Sequence, residues 1–237
     1  MAEKMTEEQL GNQERLNSGT AWTRNDKFEK DGYLVVKNMW DAEDLYHPLP
    51  DIKGQLNYWS KDVTQFSHNP TEGQVEGSLA RYWHPQYRNA HTGIRRKLEK
   101  IIGRTLYNTY YYDRYYFPGQ ALTKHADRDA CEISVSIHIS TNLPDSQKEW
   151  PFKIKTPDTY IDDKKTAVLV PGEERSVILN PGDGLIYKGC ERPHWRDVLP
   201  TPEKVEDAPT KYYYHQIFFH YVLQDGQRAH CAWDRAR

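Results

Sequence analysis

The sequence lacks the marks of export, of membrane insertion and of a disulfide framework. Met1 to Arg15 is polar and charged, without the apolar segment a secretory leader carries. Nowhere does an apolar run approach the roughly 20 residues that a membrane helix needs. Cysteine occurs 3 times, at Cys131, Cys190 and Cys231, an odd and sparse set with no CxxC spacing. That excludes a zinc ribbon and fits reduced thiols in a reducing, cytoplasmic setting. Charge of one sign is not in excess either. The 32 Lys and Arg stand against 34 Asp and Glu, a net charge of -2. Such a balance offers no net field to draw in nucleic acid or an acidic surface. Internal repeats and low-complexity tracts are absent.

Aromatic residues are what the chain has in quantity. Tyrosine occurs 17 times, crowded at 107–116 and 212–221. Tyrosine suits a pleated, half-buried surface and also lines ligand pockets. The 237 residues suffice for one buried core. We therefore expect a flexible polar arm over 1–24 and one domain over 25–237.

Residues 32–36 (Gly-Tyr-Leu-Val-Val) read as a first strand, led in by Phe28 to Asp31. Asp41 to Leu45 reads as a short helix with Asp41 as N-cap. Residues 47–80, rich in Pro, Asn, Gly and Ser, read mostly as loop, with a brief helix near 52–60. The best helix spans about 88–102. There Ile94, Leu98, Ile101 and Ile102 fall at helical spacing, while Arg95, Arg96, Lys97, Glu99 and Lys100 fill the other face. Gly103 ends it as a C′ glycine. From 104 onward the period becomes two. Thr105 to Tyr116 is a Tyr-rich strand, and over 132–139 Ile133, Val135, Ile137 and Ile139 alternate with Glu132, Ser134, Ser136 and His138. Further strands are expected at 151–155, 166–170, 176–180, 184–188, 193–198 and 211–223. Turns at Pro118-Gly119, Pro171-Gly172 and Pro181-Gly182-Asp183 punctuate them. The class is mainly β, a sandwich or jelly roll with helices outside it.

One cluster carries chemistry. His125 and Asp127 are two residues apart, so on an extended chain they share a face. An imidazole and a carboxylate at one strand end reach one metal ion. A second histidine from a distant strand completes a 2-His-1-carboxylate face with open positions, the geometry of non-heme iron. His194, which follows the Pro181-Gly182 turn and the Gly189 break, is that candidate. His138 comes too soon after Asp127 to approach from an opposite sheet. His215 and His220, on the last strand, suit a co-substrate anchor better.

These stretches resemble a known family. Segment 115–127, with Y-x-P-G-x5-H-x-D starting at Tyr116, and segment 180–196, with Pro-Gly-Asp followed by His194, are similar to the corresponding regions of the 2-oxoglutarate/Fe(II)-dependent oxygenase superfamily. Phe28 to Lys37 (FEKDGYLVVK) resembles the start of its prolyl-hydroxylase-like and phytanoyl-CoA-hydroxylase-like branches. The resemblance covers about 28–38 and 104–223. It implies a double-stranded β-helix, a jelly-roll (cupin-like) barrel with N-terminal helices packed outside. It implies Fe(II) on His125, Asp127 and His194, with 2-oxoglutarate and O2 as co-substrates and ascorbate as a stimulant. The reaction implied is a dioxygenase hydroxylation of an unactivated C–H bond, with 2-oxoglutarate converted to succinate and CO2. Because residue 127 is a carboxylate, halide has no vacant ligand position, and halogenation is not expected.

The distal carboxylate of 2-oxoglutarate needs a buried cation. In this family the cation opens the strand after the second histidine. Lys211 stands there, although farther past His194 than is usual. Arg196, two residues after His194 on the same face, competes with its bidentate guanidinium. Lys204 has the ordinary spacing but sits in a Pro/Glu-rich loop. Tyr115 or Arg114 is expected to assist.

The pocket mouth is expected from 52–90 and 156–165, with Trp59, Tyr82, Trp83, Tyr87 and Tyr160. That rim and a mean hydropathy of -0.92 suit a small polar molecule, an amino acid or a peptidyl residue such as proline, with neither membrane nor nucleic acid as partner. A nucleic-acid dealkylase of the same superfamily is an alternative, but its R-x5-R pair is missing when counted from Arg196 or Lys211. A non-catalytic jelly-roll ligand-binding protein is another alternative. A purely structural β protein would leave the three ligands to coincidence.

Overall fold

In chain order the protein begins with α1 (Asp26–Asp31) and β1 (Tyr33–Val36). Asn25 caps α1 by accepting from the Phe28 amide, and Gly32 ends it at φ 76°. That left-handed turn releases the chain straight into β1, so the expected lead-in is itself a helix. Then come α2 (Ala42–Leu45), β2 (Ser67–His68) and β3 (Leu79–Tyr82). Asp41 caps α2 as expected, accepting from the Glu43 amide. The short β3 falls where loop was expected. A 3-10 turn at Pro85–Tyr87 feeds α3 (Arg88–Ile102), ended by Gly103 at φ 71°.

The remaining strands are β4 (Leu106–Tyr116), β5 (Leu122–His125), β6 (Ile133–Thr141), β7 (Phe152–Lys155), β8 (Thr159–Asp163) and β9 (Thr166–Val170). They continue with β10 (Glu174–Val177), β11 (Gly184–Tyr187), β12 (His194–Arg196) and β13 (Tyr214–Leu223). This computed structural model describes residues 22–48, 67–68, 74–75, 77–163, 166–202 and 212–233. Residues 1–21 of the arm expected over 1–24, the helix near 52–60, Trp59, Lys204 and Lys211 lie outside the described residues. Among the described residues no helix is long and apolar enough to cross a membrane.

The strands form a seven-stranded sheet in the order β1-β11-β6-β13-β4-β3-β2 and a four-stranded sheet in the order β10-β7-β12-β5. All the pairings are antiparallel. Phe152 and Ile154 of β7 pack against Leu185 and Tyr187 of β11, which closes the two sheets on each other as a jelly roll. The hairpin β8–β9 is a separate two-stranded sheet, with Tyr160 73 % exposed.

Alternation on β6 separates two environments. Ile133, Val135, Ile137 and Ile139 face outward and join Ile94, Leu98 and Ile102 of α3 in the main apolar cluster, together with Ile217, Phe219 and Tyr221 of β13. The polar partners Ser134, Ser136 and His138 therefore line the lumen, buried. On α3, Arg95 and Glu99 turn out buried, although the charge pattern put them on the polar face. Both clasp the start of β4: Arg95 donates to the Leu106 carbonyl at 3.2 Å, and Glu99 accepts from the Leu106 amide at 2.9 Å. Their hydrogen bonds satisfy a strand end that the helix covers.

The same outer face of the seven-stranded sheet holds a buried ionic knot. Arg81 of β3 grips Asp113 of β4 through Nε at 3.1 Å and through a second nitrogen at 2.9 Å. His215 of β13 meets the same carboxylate at 2.9 Å, and the Tyr87 hydroxyl closes the group. All four residues are buried. Removing one member strands the others' charge, which costs about 3–5 kcal/mol. Asp113→Ala should lower unfolding free energy by about that amount in chemical denaturation. Breaking the exposed Lys124–Glu174 pair should cost less than about 1 kcal/mol.

Candidate metal centre

β5 and β12 are neighbours in the four-stranded sheet, and their register sets His125 directly opposite His194. Asp127 stands two residues past His125 and just beyond the strand end. His125 Nε2 and His194 Nε2 lie 3.3 and 3.5 Å from the same oxygen, Asp127 Oδ1. The three ligand atoms fall within 4.8 Å of one another.

The tautomers follow from the backbone. His125 Nδ1 is 2.7 Å from the Thr123 carbonyl, and His194 Nδ1 is 2.9 Å from the Arg192 carbonyl. A carbonyl only accepts, so each Nδ1 carries the hydrogen and each Nε2 presents its lone pair to the centre. This donor set, two neutral nitrogens and one carboxylate oxygen, fits a divalent metal with open positions.

Burial opposes the charged form of Asp127. Without a metal the imidazoles can instead protonate at Nε2, and then the hydrogen bonds of His125 and His194, with the charges of His194 and His220, outweigh burial and hold the carboxyl far below the usual range. Burial likewise disfavours protonated His125. The Asp127 hydrogen bond and the Thr123 carbonyl win there, and its pKa is raised. Both shifts express one attraction, an anion held between two nitrogens that a cation would bind.

The far oxygen of Asp127 is held by residues that spacing alone did not single out. Ser134 Oγ donates to Asp127 Oδ2 at 3.1 Å and lies 2.9 Å from His220 Nδ1. Ser134 has one proton, and the ionised carboxylate takes it. The serine oxygen then accepts from His220 Nδ1, and His220 Nε2 is left as a lone pair. Burial pushes His220 down to about 4, so it stays neutral near pH 7. The Asp127 amide donates to the Gly189 carbonyl at 2.9 Å. A Cβ at 189 would run into Asp127 Oδ2, the Cys131 carbonyl and Ser134 Oγ. The break at Gly189 is thus a close approach of backbone to carboxylate.

Beyond the histidines the lumen holds cationic groups. Arg196 shares its strand face with His194 and is 1 % exposed. It donates to the Trp150 carbonyl and, at 3.0 Å, to Gln216 Oε1. Its guanidinium lies over the rings of Trp150, Tyr214 and Phe152 at 4.5, 4.9 and 5.3 Å. Among the described residues no carboxylate pairs with it, and its Nε has no hydrogen-bond partner. Arg114 also faces the lumen, between Tyr112 and Tyr116.

Tyr115, expected to assist beside these, points to the other face of β4. There it stacks on His215 at 3.9 Å and donates to the His47 carbonyl. Neighbours on a strand face opposite ways, so Arg114 and Tyr115 cannot share the lumen. For the same reason His215 belongs to the outer knot, while His220 belongs to the lumen beside Asp127. Of the aromatic residues expected at the rim, Tyr87 is sequestered in the knot. Tyr82 stacks on Tyr112 at 4.8 Å, and Tyr112 on Phe218 at 4.7 Å, which gives the lumen an aromatic wall.

No family model and no curated protein sequence matches the chain, but solved structures do. An oxidoreductase of the 2OG-Fe(II) oxygenase family from Burkholderia pseudomallei aligns with a TM-score of 0.52 at 11 % identity, covering 91 % of this chain and 98 % of that one. The non-heme alpha-ketoglutarate-dependent epimerase SnoN from nogalamycin biosynthesis aligns with a TM-score of 0.52 at 11 % identity, covering 90 % and 83 %. A Pseudomonas putida prolyl-4-hydroxylase aligns with a TM-score of 0.50 at 16 % identity, covering 82 % and 95 %. What the chain shares with them is the fold, a double-stranded β-helix.

The support of Asp127 generates a prediction. Ser134→Ala should weaken divalent-metal affinity by about 10–100-fold, the usual cost of losing a residue that orients a ligand. Gly189→Ala should weaken it at least as much, because its Cβ occupies the carboxylate's place. Competition against a chelating indicator measures both.

Proposed function

We propose that this chain is an Fe(II)- and 2-oxoglutarate-dependent oxygenase. One observation carries the reading: a single lumen holds a three-donor metal face and, two residues along the same strand, a buried guanidinium that no anion among the described residues pairs with. His194 and Arg196 are separated by about 6.6 Å of strand, a span comparable with a five-carbon diacid. A divalent ion on His125, Asp127 and His194 keeps one positive charge, and Arg196 adds a second. A dicarboxylate cancels both, which relieves the cost of the buried cation.

When bound, iron and 2-oxoglutarate supply oxidative decarboxylation to succinate and CO2, coupled to oxidation of a C–H bond. The chain's own residues bind and orient. His125 and His194 offer lone pairs fixed by backbone carbonyls. Ser134 turns Asp127 so that Oδ1 faces the centre. Arg196 and Gln216 receive the distal carboxylate, with Lys211 as a further candidate. Trp150, Phe152 and Tyr214 exclude water around that ion pair and strengthen it.

The substrate we infer is a small polar molecule, a free amino acid or a peptidyl residue such as proline, hydroxylated against the wall of Tyr82 and Tyr112. The balanced total charge supports this over a nucleic acid.

Anaerobically loaded Fe(II) protein should consume O2 and form succinate from 2-oxoglutarate, and His125→Ala should abolish this. Truncating one side of a buried charge pair costs about 2–5 kcal/mol. Arg196→Met should therefore raise the KM for 2-oxoglutarate at least about thirtyfold. Amino acids and prolyl peptides should be screened for the mass gain of one oxygen atom. Wild-type protein that forms no succinate with Fe(II) and 2-oxoglutarate would sink the reading.

A further inference from the structure

Beside the three-donor face lies a second ligand set, of which the proposed reaction uses only Asp127. Asp127, Cys131 and His220 offer an oxygen, a sulfur and a nitrogen, again within 4.8 Å of one another. Cys131 and His220 are each 2 % exposed. The Cys131 sulfur is a free thiol, 3.2 Å from the Tyr110 hydroxyl. His220 Nε2 is buried and has no hydrogen-bond partner. Its Nδ1 is engaged by Ser134, so Nε2 is the bare lone pair described above. A buried nitrogen lone pair facing no donor is costly to keep, and a cation is what it lacks.

We propose that Asp127, Cys131 and His220 form a second metal position, selective for a thiophilic divalent ion such as Zn2+, Cd2+ or Co2+. The donor types decide the selectivity, because a sulfur ligand favours soft and borderline ions over Mg2+ or Ca2+. Charge closes as well: the thiol releases its proton on binding, and thiolate plus carboxylate neutralise the ion. Ligand bonds of about 2.0–2.3 Å hold tetrahedral donors about 3.3–3.8 Å apart. Closing from the present separations takes side-chain shifts of about an ångström. The Tyr110 hydroxyl or a water supplies a fourth ligand.

Asp127 belongs to both sets. Its Oδ1 faces the two histidines and its Oδ2 faces the Ser134 and His220 side. An ion at the second position therefore pulls on the carboxylate that the first one needs. The two positions are coupled, and a thiophilic ion weakens the occupant of the first.

Titration of reduced, metal-free wild-type protein with Co2+ tests this directly. The expected result is a sulfur-to-cobalt charge-transfer absorption whose saturated amplitude corresponds to one sulfur-bound ion per chain. The band should vanish in Cys131→Ser, with folding checked by circular dichroism. It should persist in His125→Ala, which removes the first position and leaves the second. That variant separates this proposal from the oxygenase reading, whose failure would not touch the band. Saturating Co2+ without a sulfur band in wild type overturns the proposal, and so does a band that survives Cys131→Ser. The wild-type titration needs no variant to fold.

Discussion

A strand shows its side chains to two faces in turn, and in the seven-stranded sheet those faces meet opposite requirements. Ile133, Val135, Ile137 and Ile139 must seal against α3, while Ser134, Ser136 and His138 between them must line a polar lumen. A slip of one residue would exchange the two sets, putting serines against Leu98 and isoleucines beside Asp127. The register of β6 against β11 and β13 therefore fixes the core and the candidate site together. Most else follows from it, including the reach of Ser134 to Asp127 and the place of Gln216 under Arg196.

Two arginines at 1 % exposure illustrate what burial does with charge. Arg81 is fully answered, by Asp113 on two bonds and by Tyr87, and it acts as a clamp. Among the described residues Arg196 is answered only by neutral acceptors and ring faces. The first arrangement is closed and serves stability. The second is open by one anion, and for that reason it reads as a ligand site. The difference is invisible in residue type and appears only in what surrounds each guanidinium.

Much of this was legible in the sequence where local rules operate. Period-two alternation, the Gly103 stop and the Asp41 cap are encoded within a few residues, and α3 and β6 lie close to where the pattern put them. The HxD spacing and the turn before β11 single out His125, Asp127 and His194 from the sequence alone. What escaped depends on contacts distant in sequence. Arg95 and Glu99 look like surface charges until Leu106 is placed beneath them. Tyr115 and Arg114 are equivalent candidates until the sheet assigns them opposite faces. Nothing around Gly189 tells that the Asp127 carboxylate, just past β5, lies against it, and β3 and β5 are too short to show a period of their own.

The two histidines opposite Asp127 use one local device twice: each Nδ1 finds the carbonyl two residues behind it, Thr123 for His125 and Arg192 for His194. A main-chain oxygen survives any side-chain replacement at those positions. The orientation of both imidazoles is therefore insulated from sequence drift in a way that a carboxylate-held imidazole is not. A fold that writes this information into its backbone can change most of its residues and still aim both rings at the same point.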